Sequence, residues 1–183
     1  MKTLVLVFHP DMSASRANRP LAAKAETLGN DVTVRYMYDL YPDQKVDVAA
    51  EQTALEAADR VVLQFPMYWY STPALLKQWE DDVLLYGWAY GSTGTALAGK
   101  ELLLAVSTGG PGDDYSHDGS YGYTLTELLR PLQATANMVQ MTYLEPFTTT
   151  GTLTITDEAL AQRVEDYAAT LASKDRPVLE PHG

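Results

Sequence analysis

The sequence predicts an α/β fold: a doubly wound parallel sheet of five strands, order 2-1-3-4-5, with helices on both faces. Three observations predict it. Residues 3–8, 60–65 and 101–106 are near-continuous apolar runs, the pattern of strands buried on both faces of a parallel sheet. Residues 31–36 alternate and residues 138–143 are half polar, as suits edge strands. Helical patterns separate these segments, so strand and helix alternate along the chain. The order 2-1-3-4-5 puts the three apolar runs in the centre and the two mixed ones at the edges.

Each element has its own local reason. The first strand follows Met1-Lys2 and ends at His9-Pro10-Asp11. Its apolar stretch is too short, and its flank too polar, for a secretory signal. If the first helix starts at Ser15, Pro20 sits past its first turn and costs a hydrogen bond, so either the helix starts nearer Asn18 or its first turn is irregular. A helix is expected over 50–58. The next has Thr72 as cap and Pro73 at its first position, with Leu75, Leu76, Trp79, Val83 and Leu84 on one face. A further helix is expected over about 122–136. The last carries Leu160, Val164, Tyr167, Ala168 and Leu171 on one face, and Asp157 and Glu158 at its positive end. The domain is expected to span 1–174, with 175–183 a loose polar tail.

Composition excludes several classes of function. The 183 residues carry 46% hydrophobic and 20% charged side chains, the balance of an ordinary soluble protein, and no apolar run is long enough to span a bilayer. The chain has no cysteine, which removes disulfides, thiolate metal sites and thiol nucleophiles and makes a cytoplasmic location the expectation. A net charge of -11 argues against nucleic acid or an anionic membrane surface as partner. No His or carboxylate cluster has metal-ligand spacing, so no metal is expected.

In such a sheet, ligands bind at the carboxyl ends of the strands, where the strand order reverses. Three loops meet there. Loop 9–19 offers hydroxyls, an amide and two arginines ahead of a helix, suited to one phosphate, though Ser13 or Ser15 could equally be a plain helix cap. It has neither GxGxxG nor a P-loop pattern. Loop 66–73 holds Tyr68, Trp69 and Tyr70 in a row, able to stack on a flat ring, with at least one expected to pack under the following helix. Loop 107–115 has Gly109 and Gly110, which let backbone approach a ligand or simply make a tight turn. Residues 111–123, rich in glycine and aromatics, form either a water-excluding rim or a floppy surface loop.

These residues carry a resemblance. His9-Pro10, Ser15-Arg16-Ala17-Asn18-Arg19, the run from Gln64-Phe65-Pro66-Met67-Tyr68-Trp69-Tyr70 to Lys77, Gly87-Trp88-Ala89-Tyr90-Gly91, Ser107-Thr108-Gly109-Gly110 and Leu129-Arg130-Pro131 resemble the NAD(P)H:quinone oxidoreductases of the flavodoxin-like superfamily. The likeness runs from about residue 2 to about residue 150. It is nearest to a short bacterial branch that includes the ancillary oxidoreductase of the glutathione-gated potassium-efflux system and the general stress protein 14 type.

The resemblance implies a flavodoxin-like fold, a homodimer, and FMN rather than FAD as cofactor. It implies ping-pong hydride transfer from NADH or NADPH through the flavin to a quinone-like acceptor. By motif, His9, Ser15, Arg16, Ala17 and Asn18 would hold the flavin phosphate. Pro66, Met67, Tyr68 and Trp69 would flank the ring system, and Ser107, Thr108, Gly109 and Gly110 would bind its pyrimidine end. Tyr115 matches a family tyrosine near the flavin. Tyr121 stands where the family has a histidine, with His117 nearby as a substitute. These three are the candidate catalytic residues. A phenol with pKa about 10 is a poor proton relay at neutral pH but still donates a hydrogen bond. Two other roles fit the resemblance and the fold: a regulatory subunit of a membrane potassium-efflux protein, and a one-electron carrier of flavodoxin type. The residues do not choose between NADH and NADPH.

Overall fold

The computed structural model describes residues 1–180. Its sheet has the expected order. Strands β1 (Thr3–Val7), β2 (Val32–Tyr36), β3 (Arg60–Pro66) and β4 (Glu101–Ser107) run parallel in the order β2-β1-β3-β4. β5 (Thr142–Tyr143) and β6 (Phe147–Thr149) both pair with β4 at the other edge. β1, β3 and β4 are buried almost throughout, whereas β2 is only partly covered.

The pleat sends alternate side chains into two cores. Leu4, Leu6, Leu63, Phe65, Leu104 and Val106 meet one side of the molecule, built from α2 (Met37–Leu40), α3 (Val48–Glu56), α4 (Ala74–Val83) and, after the short α5 (Leu125–Leu128), which buries no residue, α6 (Arg130–Met138). Val5, Val7, Val62, Leu103 and Ala105 meet α1 (Asn18–Glu26) and α7 (Asp157–Ala172) through Leu21, Ala22, Tyr167 and Leu171. Arg60, on the second side, is fully buried at the base of β3. Its Nε donates to Glu101 at 2.6 Å, and its NH1 reaches the Thr170 and Leu171 carbonyls at the end of α7. That satisfies a helix terminus with a cation, as the helix dipole favours.

Besides α4, which starts at Ala74 with Pro73 rather than Thr72 at its cap and no side-chain cap bond, three boundaries differ from the sequence expectation. The helix expected over about 122–136 is two, α5 and α6, because Pro131 has no N–H to carry the ladder across the junction. The fifth strand does not begin at Met138, which ends α6 and is exposed; it is split into β5 and β6 around Leu144-Glu145-Pro146. The third difference is in the tail. The Pro177 carbonyl accepts from Glu145 N–H at 2.8 Å, and Leu179 N–H donates to the Tyr143 carbonyl at 3.0 Å. The Leu179 carbonyl accepts from Gln133 Nε2 at 2.8 Å. The part of the expected loose tail up to Leu179 is therefore pinned to β5, and 181–183 lie outside the described residues. No described helix is long and apolar enough to cross a membrane.

Candidate functional site

The loop after β1 is ordered by its own polar groups. The Asp11 carboxylate accepts from Ser13 N–H at 2.9 Å, Ser13 Oγ at 2.6 Å and Ala14 N–H at 3.2 Å. The Ser13 hydroxyl, and then the Ala14 amide, hold that carboxyl below its usual range. His9 Nδ1 accepts from Asp11 N–H at 3.1 Å. Burial pushes the His9 pKa down, against the smaller opposing pull of Asp11. A neutral ring accepting at Nδ1 carries its proton on Nε2, which is thereby a donor.

α1 begins at Asn18, the later of the two expected starts. Buried Ser15 accepts the Asn18 N–H at 3.0 Å on its Oγ and still has its hydroxyl proton to give. Asn18 Nδ2 donates to Ser107 Oγ at 2.8 Å. Gln64 Nε2 donates to the Asn18 carbonyl at 2.8 Å, and Gln64 Oε1 accepts from Tyr167 Oη at 3.0 Å. A buried polar chain thus ties α1, β3, β4 and α7 at the carboxyl ends of the strands. Among the described residues no acceptor faces the N–H groups of Arg16 and Ala17. Two free amides at a helix start, with Arg16 beside them, make a receptor for an anion. Arg16 itself pairs with Asp157 at 2.7 Å, on the surface.

The loop after β3 is a tight hairpin. Met67 N–H donates to the Ser107 carbonyl at 2.8 Å, and Tyr68 and Ser71 exchange two backbone hydrogen bonds at 3.0 Å. Between them Trp69 and Tyr70 both have positive φ, 48° and 62°, as a type I′ turn requires. The expectation that at least one of the three aromatics packs under the next helix is not met. The turn lifts them off it: Tyr68 is 43%, Trp69 93% and Tyr70 45% exposed, while Pro66 and Pro73 on either side are buried.

The Gly-Gly loop after β4 is braced from a segment the sequence did not single out. Thr108 N–H donates to the Thr149 carbonyl at 3.0 Å. Thr152 donates from both N–H and Oγ1 to the Thr108 carbonyl, each at 3.0 Å. Gly151 N–H donates to the Gly110 carbonyl at 2.7 Å. Leu153 lies against Gly109, and Thr108 Oγ1 donates to the Gly110 carbonyl at 2.9 Å. The signal was present as Thr149-Thr150-Gly151-Thr152, a cluster of hydroxyls around a glycine. The N–H groups of Gly109 and Gly110, like those of Trp69 and Tyr70, face no acceptor among the described residues. The loops at the carboxyl ends of β1, β3 and β4 thus each carry two amides that no described residue accepts from.

Tyr115 and Tyr121 come together beside this loop, 4.7 Å between ring centroids, and Tyr121 also meets Tyr70 at 5.7 Å. Burial pushes the Tyr115 phenol up, against a smaller opposing effect of the Thr108 hydroxyl. His117 is not in that cluster. It is exposed, and its Nε2 lies 3.0 Å from both Glu127 carboxylate oxygens. Glu127 also closes a capping box with Thr124 at the start of α5. The Thr124 amide first, and then His117, pull the Glu127 carboxyl down to about 2. Among the described residues no group of three His, Asp or Glu side chains could hold a metal ion.

Comparison with known proteins agrees with this fold. The family model described as flavodoxin-like fold matches residues 1–171. A Bacillus subtilis protein named as an uncharacterized NAD(P)H oxidoreductase is 50% identical over 170 residues, 91% of this chain and 97% of that protein. The ancillary protein of the glutathione-regulated potassium-efflux system of Salmonella arizonae is 47% identical over 169 residues, 92% and 94% of the two chains. Among solved structures, the general stress protein 14 of Treponema denticola in complex with FMN gives a TM-score of 0.88 at 42% identity, covering 93% of this chain and 98% of that one. A protein of P. pentosaceus described as an NADPH-quinone reductase gives 0.86 at 35%, covering 96% and 99%. A chain described as a thermophilic tryptophan halogenase gives 0.92 at 46%, covering 94% and 99%. Names thus vary among close neighbours, and the activity has to be argued from the site.

Proposed function

The chain belongs to the family of flavodoxin-like fold, and from that membership we propose that it is an FMN-dependent NAD(P)H:quinone oxidoreductase. The observation that carries the proposal is the set of free backbone amides at Arg16–Ala17, Trp69–Tyr70 and Gly109–Gly110, in the loops at the carboxyl ends of the neighbouring strands β1, β3 and β4. The likeness to an FMN-bound relative and to an NADPH-quinone reductase supports the cofactor and the acceptor.

When bound, FMN supplies the two-electron chemistry, taking a hydride from NAD(P)H and passing the electrons to a quinone, in turn at one place. The protein's part is placement. Arg16 and the amides at the start of α1 hold the phosphate, with the Ser15 hydroxyl and His9 Nε2–H as further donors. Asn18 acts inward, fixing Ser107 and Gln64. The amides of Gly109 and Gly110 would hold the pyrimidine end, and Pro66, Met67, Tyr68 and Trp69 would flank the ring system. Tyr115 and Tyr121 exclude water and present hydroxyls, and a proton needed by the acceptor at neutral pH comes from solvent. The protein works in the cytoplasm as a homodimer, the apolar stretch around Leu84–Tyr90, where Leu85 and Tyr86 are exposed, forming part of the interface.

The test is the absorbance spectrum of purified protein, with the released flavin identified. Bound FMN and steady NAD(P)H oxidation with a quinone are expected. A protein that stays colourless with added FMN and FAD sinks the proposal. The potassium-efflux relative favours a second role, regulation of a membrane transporter, which coexists with the enzyme activity. Co-purification with such a transporter from the source cells is the expected result, and its failure removes that role alone.

A further inference from the structure

Tyr121 stands at the junction of two loops that the backbone does not otherwise join by a ring contact. Its ring packs edge-on against Tyr70 of the β3 hairpin, 5.7 Å between centroids at 65°. It tilts against Tyr115 of the rim at 4.7 Å and 52°. Its hydroxyl lies over Gly110, where a Cβ would be 2.4 Å away, and makes no hydrogen bond to the described residues. The rim behind it is a preformed unit. Tyr121 N–H donates to the Asp114 carbonyl at 3.2 Å and Tyr115 N–H to the Gly112 carbonyl at 3.0 Å. Gly119 is needed there, since a Cβ would come within 2.5 Å of the Asp114 carbonyl and 2.6 Å of that of Asp113.

We propose that Tyr121 is a positioning residue that clasps the rim to the Trp69–Tyr70 hairpin, and that this clasp selects acceptors by their width. The proposal rests on the flavin-enzyme reading above. Aromatic pairs favour a few offset geometries over free sliding. The hairpin and the rim therefore hold one another at one spacing, and Tyr70, Tyr121 and Tyr115 form one wall beside Gly109–Gly110. The ring contacts set this spacing, and the Tyr121 hydroxyl takes no part in them. Opening the wall admits wider molecules.

Two measurements test this. The first is hydrogen–deuterium exchange on the flavin-free protein. Tyr121→Ala and Tyr70→Ala are each expected to speed exchange both at the Tyr68 and Ser71 amides and at 119–122, and Tyr121→Phe at neither. Unchanged exchange at the hairpin in Tyr121→Ala overturns the clasp. The second is kcat/KM on the FMN-loaded protein with a one-ring and a three-ring quinone. Tyr121→Ala is expected to shift the ratio about tenfold toward the wider acceptor, within the range one pocket group commands. Tyr121→Phe keeps the wild-type ratio, and the Tyr70→Ala/Tyr121→Ala pair goes no further than either alone, as coupled sites do. A Tyr121→Phe ratio that moves as far as Tyr121→Ala overturns the proposal in favour of a hydroxyl role. Wild-type protein that binds FMN and reduces no quinone sinks the enzyme reading and the acceptor half of this proposal, whereas the exchange data decide the clasp by themselves.

Discussion

Gln64 places an amide in the middle of an apolar strand, fully buried, and both of its ends are used. Replacing it with methionine keeps the volume but strands the Tyr167 hydroxyl and takes from the Asn18 carbonyl the bond it makes beyond the helix ladder. The expected loss is ~3 kcal/mol in urea denaturation, since each buried orphan costs about 1–3 kcal/mol. Adding Tyr167→Phe to that variant removes one orphan and should recover part of the loss, a coupling that a double-mutant cycle reads directly. Arg16 predicts the opposite separation. Its pair with Asp157 is exposed, so Arg16→Ala should shift stability by less than ~0.5 kcal/mol, as surface pairs do. The same change should weaken FMN binding about tenfold, equal to ~1.4 kcal/mol, in a fluorescence titration. At this scale the sequence made the hydroxyls and arginines of loop 9–19 visible. It did not reveal that Asn18 turns inward toward Ser107, because that partner is distant in the chain and local pattern carries no trace of it. The surroundings of His117 were hidden for a related reason. Its nearness in sequence to Tyr115 said nothing about Glu127, which holds it at the start of α5.

Among the elements, α4 carries Glu80 against α6. Burial pushes the Glu80 carboxyl above its ordinary pKa; Asp81 adds to this, and Lys77 and the Thr135 hydroxyl oppose it. The folded chain therefore holds the Glu80 proton more tightly than the unfolded one. That contribution is complete below the ordinary value of 4.5 and is lost as pH rises through the folded pKa. Glu80→Gln should raise the melting temperature at pH 8 by about 2–4 °C, the response of a chain this long to ~1 kcal/mol, and do nothing at pH 4. Calorimetry at the two pH values checks it. For α7, Thr156 Oγ1 accepts the Ala159 N–H at 3.2 Å, and Thr156→Ala should cost about 1 kcal/mol in the same experiment. Strongly periodic elements were readable in advance: α4 and α7 lie where their apolar faces put them. β6 was not, since three residues broken off by Pro146 have too little pattern to stand out. The braces that β6 and the loop after it give to Gly109–Gly110 were hidden with it.

For the whole molecule, sheet order followed from which strands are apolar throughout, because a central strand has no polar face to show. The same order put the candidate site at the carboxyl ends of β1, β3 and β4. Ligand linkage should be visible globally. At 100 times its dissociation constant FMN adds ~2.7 kcal/mol to stability. For a chain of this length that is about 5–10 °C in melting temperature, read by scanning fluorimetry in which FAD at equal concentration should give less.

The hairpin at Trp69–Tyr70 also bears on how far this molecule can be stabilised. Two left-handed positions in a row are met most easily by Asn-Gly, and here they carry an indole and a phenol. Non-glycine residues held there cost of order 1 kcal/mol each. Selection for thermal robustness alone would replace them. A laboratory evolution experiment that rewards only survival at high temperature should drift toward Asn-Gly at 69–70, and its winners should be sturdier proteins with poorer discrimination among acceptors.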